Sequence, residues 1–422
     1  MHISNDTIFK NKNFILLWLG QLVSILGSNF HSLAVMWYVL EITGSAAKAG
    51  ITMVFTVVPQ ILLSPLTGPI ADRFNRKVII VVSDLINGIL VGIIAILCYT
   101  NNLQLWTLYL ISAFMSASSA FFSPALLASI PTIVKKENLV KANSLSQIVR
   151  YSSSILGPAL GGILVVLIGI PGLFLLNSIS FLLSSFSESF IKITYVAKSK
   201  IQKMTLLKDF QEGISYSVKN KDLLQIIIVG GIIINFLYAP LSLIIAVVAK
   251  DNLNSGSEGY GILLGALSVG GLLMSFIIPK ISKKTGNFKL LFIGLTLEGL
   301  LLLPFAFINS LSTGIMSLLI LGCSFGIVNV TLGTVIQTIV PNDVLGRVSS
   351  VMNILCTLTV PLGYYLGGIA LENFKTSEIC IVIGIITAIS GFSTIRIIKH
   401  ETLENINDDI KTENDDICET IS

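Results

Sequence analysis

Twelve apolar segments, each long enough to cross a lipid bilayer, recur along this sequence. One crossing takes about 20 helical residues. Backbone polar groups in lipid need partners inside their own segment, so each segment must be a helix. The sequence therefore predicts an all-α integral membrane protein with twelve transmembrane helices. The predicted spans are 14–40, 48–69, 78–99, 104–127, 143–168, 171–193, 223–248, 258–279, 289–308, 313–338, 349–371 and 377–398.

The charge pattern sets the expected orientation. Only 12% of the 422 residues are charged and the mean hydropathy is +0.86, whereas soluble domains carry about 25% charged residues. Of the 27 basic residues, only Lys48, Lys250 and Lys375 fall on the side opposite the termini. Because cytoplasmic loops carry the excess of lysine and arginine, both termini are predicted to be cytoplasmic.

A long polar stretch near mid-chain divides the spans six and six. We predict an N-terminal six-helix half at 1–193, a cytoplasmic central loop at 194–222, a C-terminal six-helix half at 223–398 and an acidic, disordered cytoplasmic tail at 399–422. The stretch 206–218 has helical spacing, and it is expected either to lie along the inner membrane face or to serve as a solvated tether. Polar and basic loops recur at matching positions, which indicates a duplicated six-helix unit.

The loop after the second span, residues 68–77, reads GPIADRFNRK. Its pattern resembles the loop between the second and third helices of major facilitator superfamily transporters, which works as a gate latch. This resemblance implies that Asp72 contacts a helix end or an arginine and that Arg76 pairs across the interface between the halves. Asn75 stands where the superfamily has glycine, and asparagine tolerates a left-handed turn. Alternatively, the basic residues only fix topology. The motif residues are Gly68, Asp72, Arg73, Arg76 and Lys77.

The fifth span contains a Gly-Pro-x-x-Gly-Gly core formed by Gly157, Pro158, Gly161 and Gly162. This core resembles the antiporter-associated motif of the superfamily's drug exporters, and the resemblance implies export. Proline removes a backbone donor and bends the helix. Two glycines four residues apart let another helix pack close. The alternative is a packing kink with no bearing on the direction of transport.

Ionisable residues inside spans are costly and are therefore functional candidates. Asp84 and Glu298 occupy similar positions in the two halves, in the third and ninth spans, and either carboxyl group could carry a proton. The alternative is that each is satisfied by a neighbour or lies near the inner membrane interface. Arg150, at the start of the fifth span, is a further candidate for coupling, and it either pairs with an acidic group or extends to the inner surface.

A polar stripe in the first span is a candidate cavity wall. His31 shares a helical face with Gln21, Ser24 and Ser28, and a histidine can titrate near neutral pH. The alternative is a hydrogen-bonded histidine between packed helices. The other candidate cavity residues are Ser116, Asn235, Tyr238, Asn329 and Gln337.

The resemblance extends over nearly the whole chain, and it is greatest to the macrolide-efflux type of drug exporter. The supporting pieces are WLGQ at 18–21, EITGS at 41–45, DFQEG at 209–213 and GRV at 346–348. The resemblance implies the major facilitator fold in a bacterial plasma membrane. It also implies proton-coupled antiport by alternating access, with efflux of amphipathic, macrolide-like drugs and multidrug resistance.

The sequence shows no catalytic motif, and its five cysteines have no metal-binding spacing. We therefore expect no enzyme activity, no metal and no cofactor, with the proton gradient as the energy source. The expected partners are a small-molecule substrate, protons and membrane lipids, without nucleic acid, for a monomer. One alternative is export of a siderophore or a lysophospholipid on the same scaffold. The other is a membrane receptor or scaffold that transports nothing.

Overall fold

The computed structural model describes residues 8–135, 138–192 and 205–395, and every regular element within these residues is helical. A short 3-10 turn, Ile8–Lys10, precedes the first helix. The helices are α1 (Lys12–Thr43), α2 (Ala46–Arg73), α3 (Arg76–Tyr99), α4 (Leu105–Ile133), a helix at Leu139–Ser189 that forms α5 and α6, α7 (Thr205–Lys219), α8 (Lys221–Asn252), α9 (Gly256–Thr285), α10 (Asn287–Phe305), α11 (Leu311–Ile339), α12 (Asn342–Asn373) and α13 (Thr376–Ser393).

The 51-residue helix Leu139–Ser189 is broken at Gly169, where φ is 67° and ψ is 178°. We name the arm at 139–168 α5 and the arm at 170–189 α6. Along α1, Asn29 and Leu33 face Gly157 and Gly161 of α5 in the same order. Along α1, Gly20 faces Glu188 and Gly27 faces Ser180, so the residue numbers of α6 fall as those of α1 rise. The arm α6 is therefore antiparallel to α1. The chain therefore reverses at Gly169.

Eleven helical segments of the described chain are long and apolar enough to cross a membrane, and one of them contains the end of α5 and all of α6. Counting α5 and α6 separately gives twelve spans. The predicted fold class is therefore confirmed. The helix predicted at 206–218 is also present, as α7. The predicted tail at 399–422 and the start of the central loop at 194–204 lie outside the described residues.

Side-chain contacts show which helix ends lie together. Asn11 donates to the carbonyl of Ile133 at the end of α4, and Asn13 donates to the carbonyl of Lys192 after α6. In the C-terminal half, Gln225 near the start of α8 donates to the carbonyl of Ser393 at the end of α13. We call this end of the bundle the basic end. The other end, which holds the turns at 44–45, 169 and 253–255, is called the opposite end.

The two halves pack internally by the same plan. In the first, α1 packs against α5 and α6, α3 packs against α6, and α2 packs against α4. In the second, α9 packs against α11 and α10 packs against α13. Between the halves, α5 contacts α9 and α2 contacts α12. A separate apolar cluster fills the basic end of the first half, and it includes Ile8, Phe14, Leu17, Ile80 and Ile191.

Candidate functional site

The two halves approach most closely near the opposite end, through residues that lack a side chain. A Cβ atom built on Gly162 of α5 would lie 2.4 Å from the Cα of Gly261 in α9. A Cβ on Gly50 of α2 would lie 2.4 Å from the carbonyl oxygen of Tyr364 in α12. Gly368 is similarly close to the start of α2, since its Cβ would lie 2.8 Å from the carbonyl oxygen of Ala46. Backbone therefore meets backbone at these positions, which only glycine permits.

Polar and aromatic contacts reinforce the same end. The carboxylate of Glu372 on α12 accepts hydrogen bonds from the Ser45 hydroxyl and from the Ala47 amide, the latter at 3.2 Å. Lys250 of α8 donates to the carbonyl of Leu40 at the end of α1. Trp37 stacks on Tyr260 of the other half with ring centroids 5.8 Å apart. The opposite end is thus closed between the halves by several independent contacts.

The glycines of the predicted antiporter motif divide between two partners. Gly157 and Gly161 face α1, where a Cβ on Gly157 would lie 2.4 Å from the Cβ of Asn29. Gly162 faces α9 of the other half, as described above. Pro158 lies within the helix and is half-buried. The motif therefore places α5 close to α1 on one side and to the second half on the other, and its bearing on export stays a prediction.

The predicted gating loop is shorter than the sequence suggests. Helix α2 continues to Arg73, so only Phe74 and Asn75 separate it from α3. Asn75 does not adopt the left-handed conformation that we expected, because its φ is −64° and its ψ is 110°. Instead its side chain accepts a hydrogen bond from the Lys77 amide at 3.0 Å and caps α3. Asparagine is a preferred residue at this position.

Arg76 makes a contact within its own half. Its guanidinium group donates a 2.7 Å hydrogen bond to the carbonyl of Ala128 in α4. Gly68 and the side chains of Asp72 and Arg73 lie outside the described part. The predicted latch contacts of Asp72 and the pairing of Arg76 across the halves therefore stay predictions.

The carboxyl group of Asp84 is buried inside the first half, next to a second acid that the sequence analysis missed. Asp84 on α3 is 2% exposed, and Glu188 at the end of α6 is 0% exposed. The two interact electrostatically, and Ser184 of α6 lies beside both. Glu188 lies four residues before Lys192, so its position in sequence suggested a boundary residue. The sequence did contain one indication that Glu188 faces the interior. It lies four residues after Ser184, and residues i and i+4 share a face of a helix.

Glu298 lies on the corresponding helix of the second half. It lies on α10 and is 0% exposed. The Tyr238 hydroxyl of α8 donates a 2.9 Å hydrogen bond to the Glu298 backbone carbonyl, and Thr387 of α13 lies near the same tyrosine. Asp84 therefore packs among α1, α3 and α6, and Glu298 among α8, α10 and α13. The two acids therefore pack among corresponding helices of the two halves.

The predicted polar stripe of α1 lies between packed helices. Gln21, Ser24 and His31 are 2%, 5% and 7% exposed. His31 contacts Phe174 of α6 edge-on, with ring centroids 5.3 Å apart. Ser28 is half-buried and donates to the carbonyl of Ser24 at 2.8 Å. In this conformation the stripe lies between packed helices, but Nδ1 of His31 has no hydrogen-bond partner among the described residues, so the hydrogen bond of the alternative stays a prediction.

Of the remaining candidate cavity residues, two are at least half-buried and form hydrogen bonds with backbone groups, and two are exposed. Ser116 is buried and accepts a hydrogen bond from the Gln60 amide of α2 at 3.1 Å, so it fixes α4 against α2. Asn235 is half-buried and donates to the carbonyl of Gly231 in its own helix at 2.8 Å. Asn329 and Gln337 are exposed on one face of α11. The side chain of Arg150 lies outside the described residues.

The fold agrees with solved structures of membrane transporters. A crystal structure of the nucleoside transporter NupG superimposes with a TM-score of 0.71. The match covers 92% of this chain and 99% of that chain at 13% identity. At this identity the likeness shows the fold alone, which is that of major facilitator transporters. The family and the relatives described next identify this chain as a transporter, which points to a protein that is not an enzyme.

A family model described as transmembrane secretion effector matches residues 4–415, and the chain belongs to this major facilitator family. The uncharacterised transporter YvqJ of Bacillus subtilis (strain 168) is 27% identical over 408 residues, covering 93% of this chain and 94% of YvqJ. Macrolide efflux protein A of Streptococcus pyogenes is 25% identical over 376 residues, covering 86% and 91%. The resemblance predicted from the sequence motifs is therefore confirmed.

Proposed function

We propose that this protein is a proton-coupled exporter of amphipathic, macrolide-like small molecules. It works as a monomeric antiporter in a bacterial plasma membrane, with both termini and the basic end in the cytoplasm. The observation that carries the proposal is the closure of the opposite end between the halves. In alternating access, two halves rock about a midplane cavity and one end is closed at a time. The similarity to macrolide efflux protein A supports the substrate class.

The closing contacts are of a kind that can separate and re-form. They join bare backbone at Gly162 and Gly261 with a few hydrogen bonds at Glu372 and Lys250. Association of helices in lipid depends on close van der Waals packing of small residues rather than on a hydrophobic driving force. A rigid-body rotation can therefore exchange these contacts for a matching set at the basic end, where the Asp72 motif lies.

The test is the accumulation of a labelled macrolide in drug-sensitive bacteria. We expect cells that express the wild type to accumulate little, and a protonophore to raise accumulation to the level of cells without the protein. Asp72→Asn and Glu298→Gln are expected to raise it similarly. Glu258→Gln is the matched control, because Glu258 is an exposed carboxylate in the first turn of α9. Equal accumulation in all strains, with expression confirmed, would exclude macrolides as substrates.

A lysophospholipid is the second candidate substrate. One observation favours it, an apolar groove of about 830 Å³ between α3 and α4. The groove begins at Phe74 near the basic end and extends as far as Leu90 and Phe114. Its walls suit an acyl chain better than a polar drug. Export of a labelled lysophospholipid by the same cells, with unchanged macrolide accumulation, would favour this candidate.

A further inference from the structure

The interior of the first half contains two carboxyl groups side by side on different helices. Asp84 comes from α3 and Glu188 from α6, and both are fully enclosed. Helix α1 closes the third side. A Cβ on Gly20 would lie 2.9 Å from the Ser184 hydroxyl oxygen and 3.4 Å from Oε1 of Glu188. The glycine therefore leaves room for these groups against the α1 backbone.

Among the described residues, the groups that face the pair from the surrounding helices are uncharged. Helix α1 presents Gly20 and, next to it, the buried amide of Gln21. From α4, Ser118 donates to the carbonyl of Ser83, and Ser119 accepts a hydrogen bond from Asn87. Within the described residues, no basic side chain forms an ion pair with either acid.

The cations nearest in sequence are turned elsewhere. Arg76 lies two turns before Asp84 on α3, and its guanidinium donates to the Ala128 carbonyl. Lys192 lies one turn beyond Glu188 and is exposed. Two adjacent carboxylates without a counter-ion repel each other strongly in an apolar interior, so the doubly ionised pair is disfavoured.

The polar atoms of the pair also need a hydrogen-bond donor. In the described part of the chain, Oδ2 of Asp84, both carboxyl oxygens of Glu188 and the Ser184 hydroxyl have no hydrogen-bond partner. Ser184 is itself 0% exposed and lies beside both acids. Ionised carboxylates only accept hydrogen bonds, and one serine supplies a single donor. A proton on one carboxyl oxygen would supply the missing donor to the other acid.

We propose that Asp84 and Glu188 bind one exchangeable proton between them and form a proton site inside the first half, away from the interface between the halves. The proton is held on an oxygen of one acid and donated to an oxygen of the other, and Ser184 donates to the pair. Proton binding at this site does not depend on the proposed function. Only the role of this proton as the coupling ion rests on it.

The surrounding packing controls access to this site. Ile80 lies one turn before Asp84, and Ile191 lies three residues after Glu188, both towards the basic end. Both belong to the apolar cluster with Ile8, Phe14 and Leu17, and all five are buried. A proton from the basic end reaches the pair only when this cluster loosens, so exchange is tied to movement of α1, α3 and α6.

The second half provides a natural comparison. Glu298 is buried on the corresponding helix beside Tyr238, and among the described residues no second acid acts on it. A lone buried carboxyl group can remain protonated without sharing its proton. Removal of the Glu298 carboxyl group therefore leaves the pair of Asp84 and Glu188 intact. Glu298→Gln is therefore the matched control for the pair.

The test is an infrared titration of the full-length protein in lipid nanodiscs, without drug. Acidic-minus-alkaline difference spectra report the carbonyl stretch of protonated acids. Above the pH range in which exposed acids ionise, we expect one titrating band from the pair. Asp84→Asn and Glu188→Gln each remove this band, because the remaining lone acid stays protonated at both pH values, and Glu298→Gln retains it. Independent acids would instead leave the partner's band in each single variant, and that result would overturn the proposal. Sodium ions that suppress the band at constant pH would also overturn it, because the ligand would then be a metal cation.

Ser184→Ala keeps the test informative if the acid variants do not fold. Both acids remain in this variant, and we expect the band to remain at a shifted frequency because one hydrogen bond is lost. An unchanged frequency would overturn the assigned geometry. The measurement uses no substrate, so the site stands if the band behaves as expected and macrolide efflux proves insensitive to a protonophore. Conversely, gradient-driven efflux with independent acids would leave the proposed function in place and remove this site.

Discussion

At the scale of single residues, the approach of the two halves depends on missing side chains. Gly162 and Gly261 each exclude a Cβ by backbone contact, since a Cβ on Gly261 would lie only 1.9 Å from the Cα of Gly162. Backbone cannot rotate aside as a flexible side chain can, so the helices themselves must separate. The glycines at this crossing therefore set how closely the opposite end can close.

Gly162→Ala is expected to disfavour the closed opposite end. Overpacking of a tight contact costs about 1–3 kcal/mol, which exceeds the gain of up to about 1 kcal/mol from replacing a helical glycine with alanine. We expect a lower midpoint of thermal unfolding, measured with a thiol-reactive dye that reports the buried Cys98 and Cys380. Drug accumulation should rise in parallel.

The matched control is Gly333→Ala in α11, where a Cβ would meet nothing within 4 Å. Only the helix-propensity gain acts there, so the unfolding midpoint should stay the same or rise. If the Gly162 and Gly333 variants unfold at the same temperature, the crossing of α5 and α9 does not limit closure.

At the scale of elements, α7 links the central segment to the second half. Gly213 of α7 packs on the start of α12, where a Cβ would lie 2.8 Å from the Arg347 carbonyl oxygen and 2.9 Å from Cγ2 of Val351. Glu212 and Arg347 form a 2.9 Å ion pair, but both side chains are exposed, at 42% and 39%. Exposed ion pairs contribute about 0–1 kcal/mol. Packing at Gly213 therefore contributes more to this attachment than the ion pair does.

Gly213→Val is expected to detach α7 from α12 and to reduce efflux, whereas Glu212→Gln should have a small effect. The reason is that the valine side chain meets backbone, while loss of the ion pair removes only a solvent-screened interaction. Limited proteolysis after residue 219 would report detachment, and drug accumulation would report efflux. Gly346→Ala in α12 is the control, because a Cβ there meets nothing within 4 Å. Full activity of the valine variant would show that this attachment is dispensable.

The elements were more predictable from the sequence than the sites. The spans follow from apolar length alone, because lipid forces every such segment to be helical. The partners of individual polar residues depend on which helices meet, and the sequence does not show this. Glu188 was missed because it ends α6, and Asn75 was expected in a turn although it caps α3. Gln21, Ser24 and His31 form the predicted stripe, but α6 covers it.

At the scale of the whole molecule, the closed end and the acid pair occupy different places. The contacts between halves at Ser45, Gly162 and Lys250 lie near the opposite end. Asp84 and Glu188 lie within one half, behind the apolar cluster of the basic end. Coupling between them therefore requires the rocking of a half to change packing inside that half. Helix α1 fits this role, since it contacts α6 at Gly20 and the second half at Trp37.

Crosslinking the opposite end is expected to stop transport. In the Ser45→Cys, Glu372→Cys double variant, the two thiols replace side chains that contact each other across the halves. A short methanethiosulfonate crosslinker should join α2 to α12 and abolish efflux, because alternating access requires this end to open. A reductant that cleaves the crosslink should restore efflux. Each single variant with crosslinker is the control, and it also accounts for loss of the Ser45 helix cap, which costs about 1 kcal/mol. Undiminished efflux by the crosslinked protein would mean that substrate leaves without separation of α2 and α12, and the rocking of the two halves would then be the wrong description of this transporter.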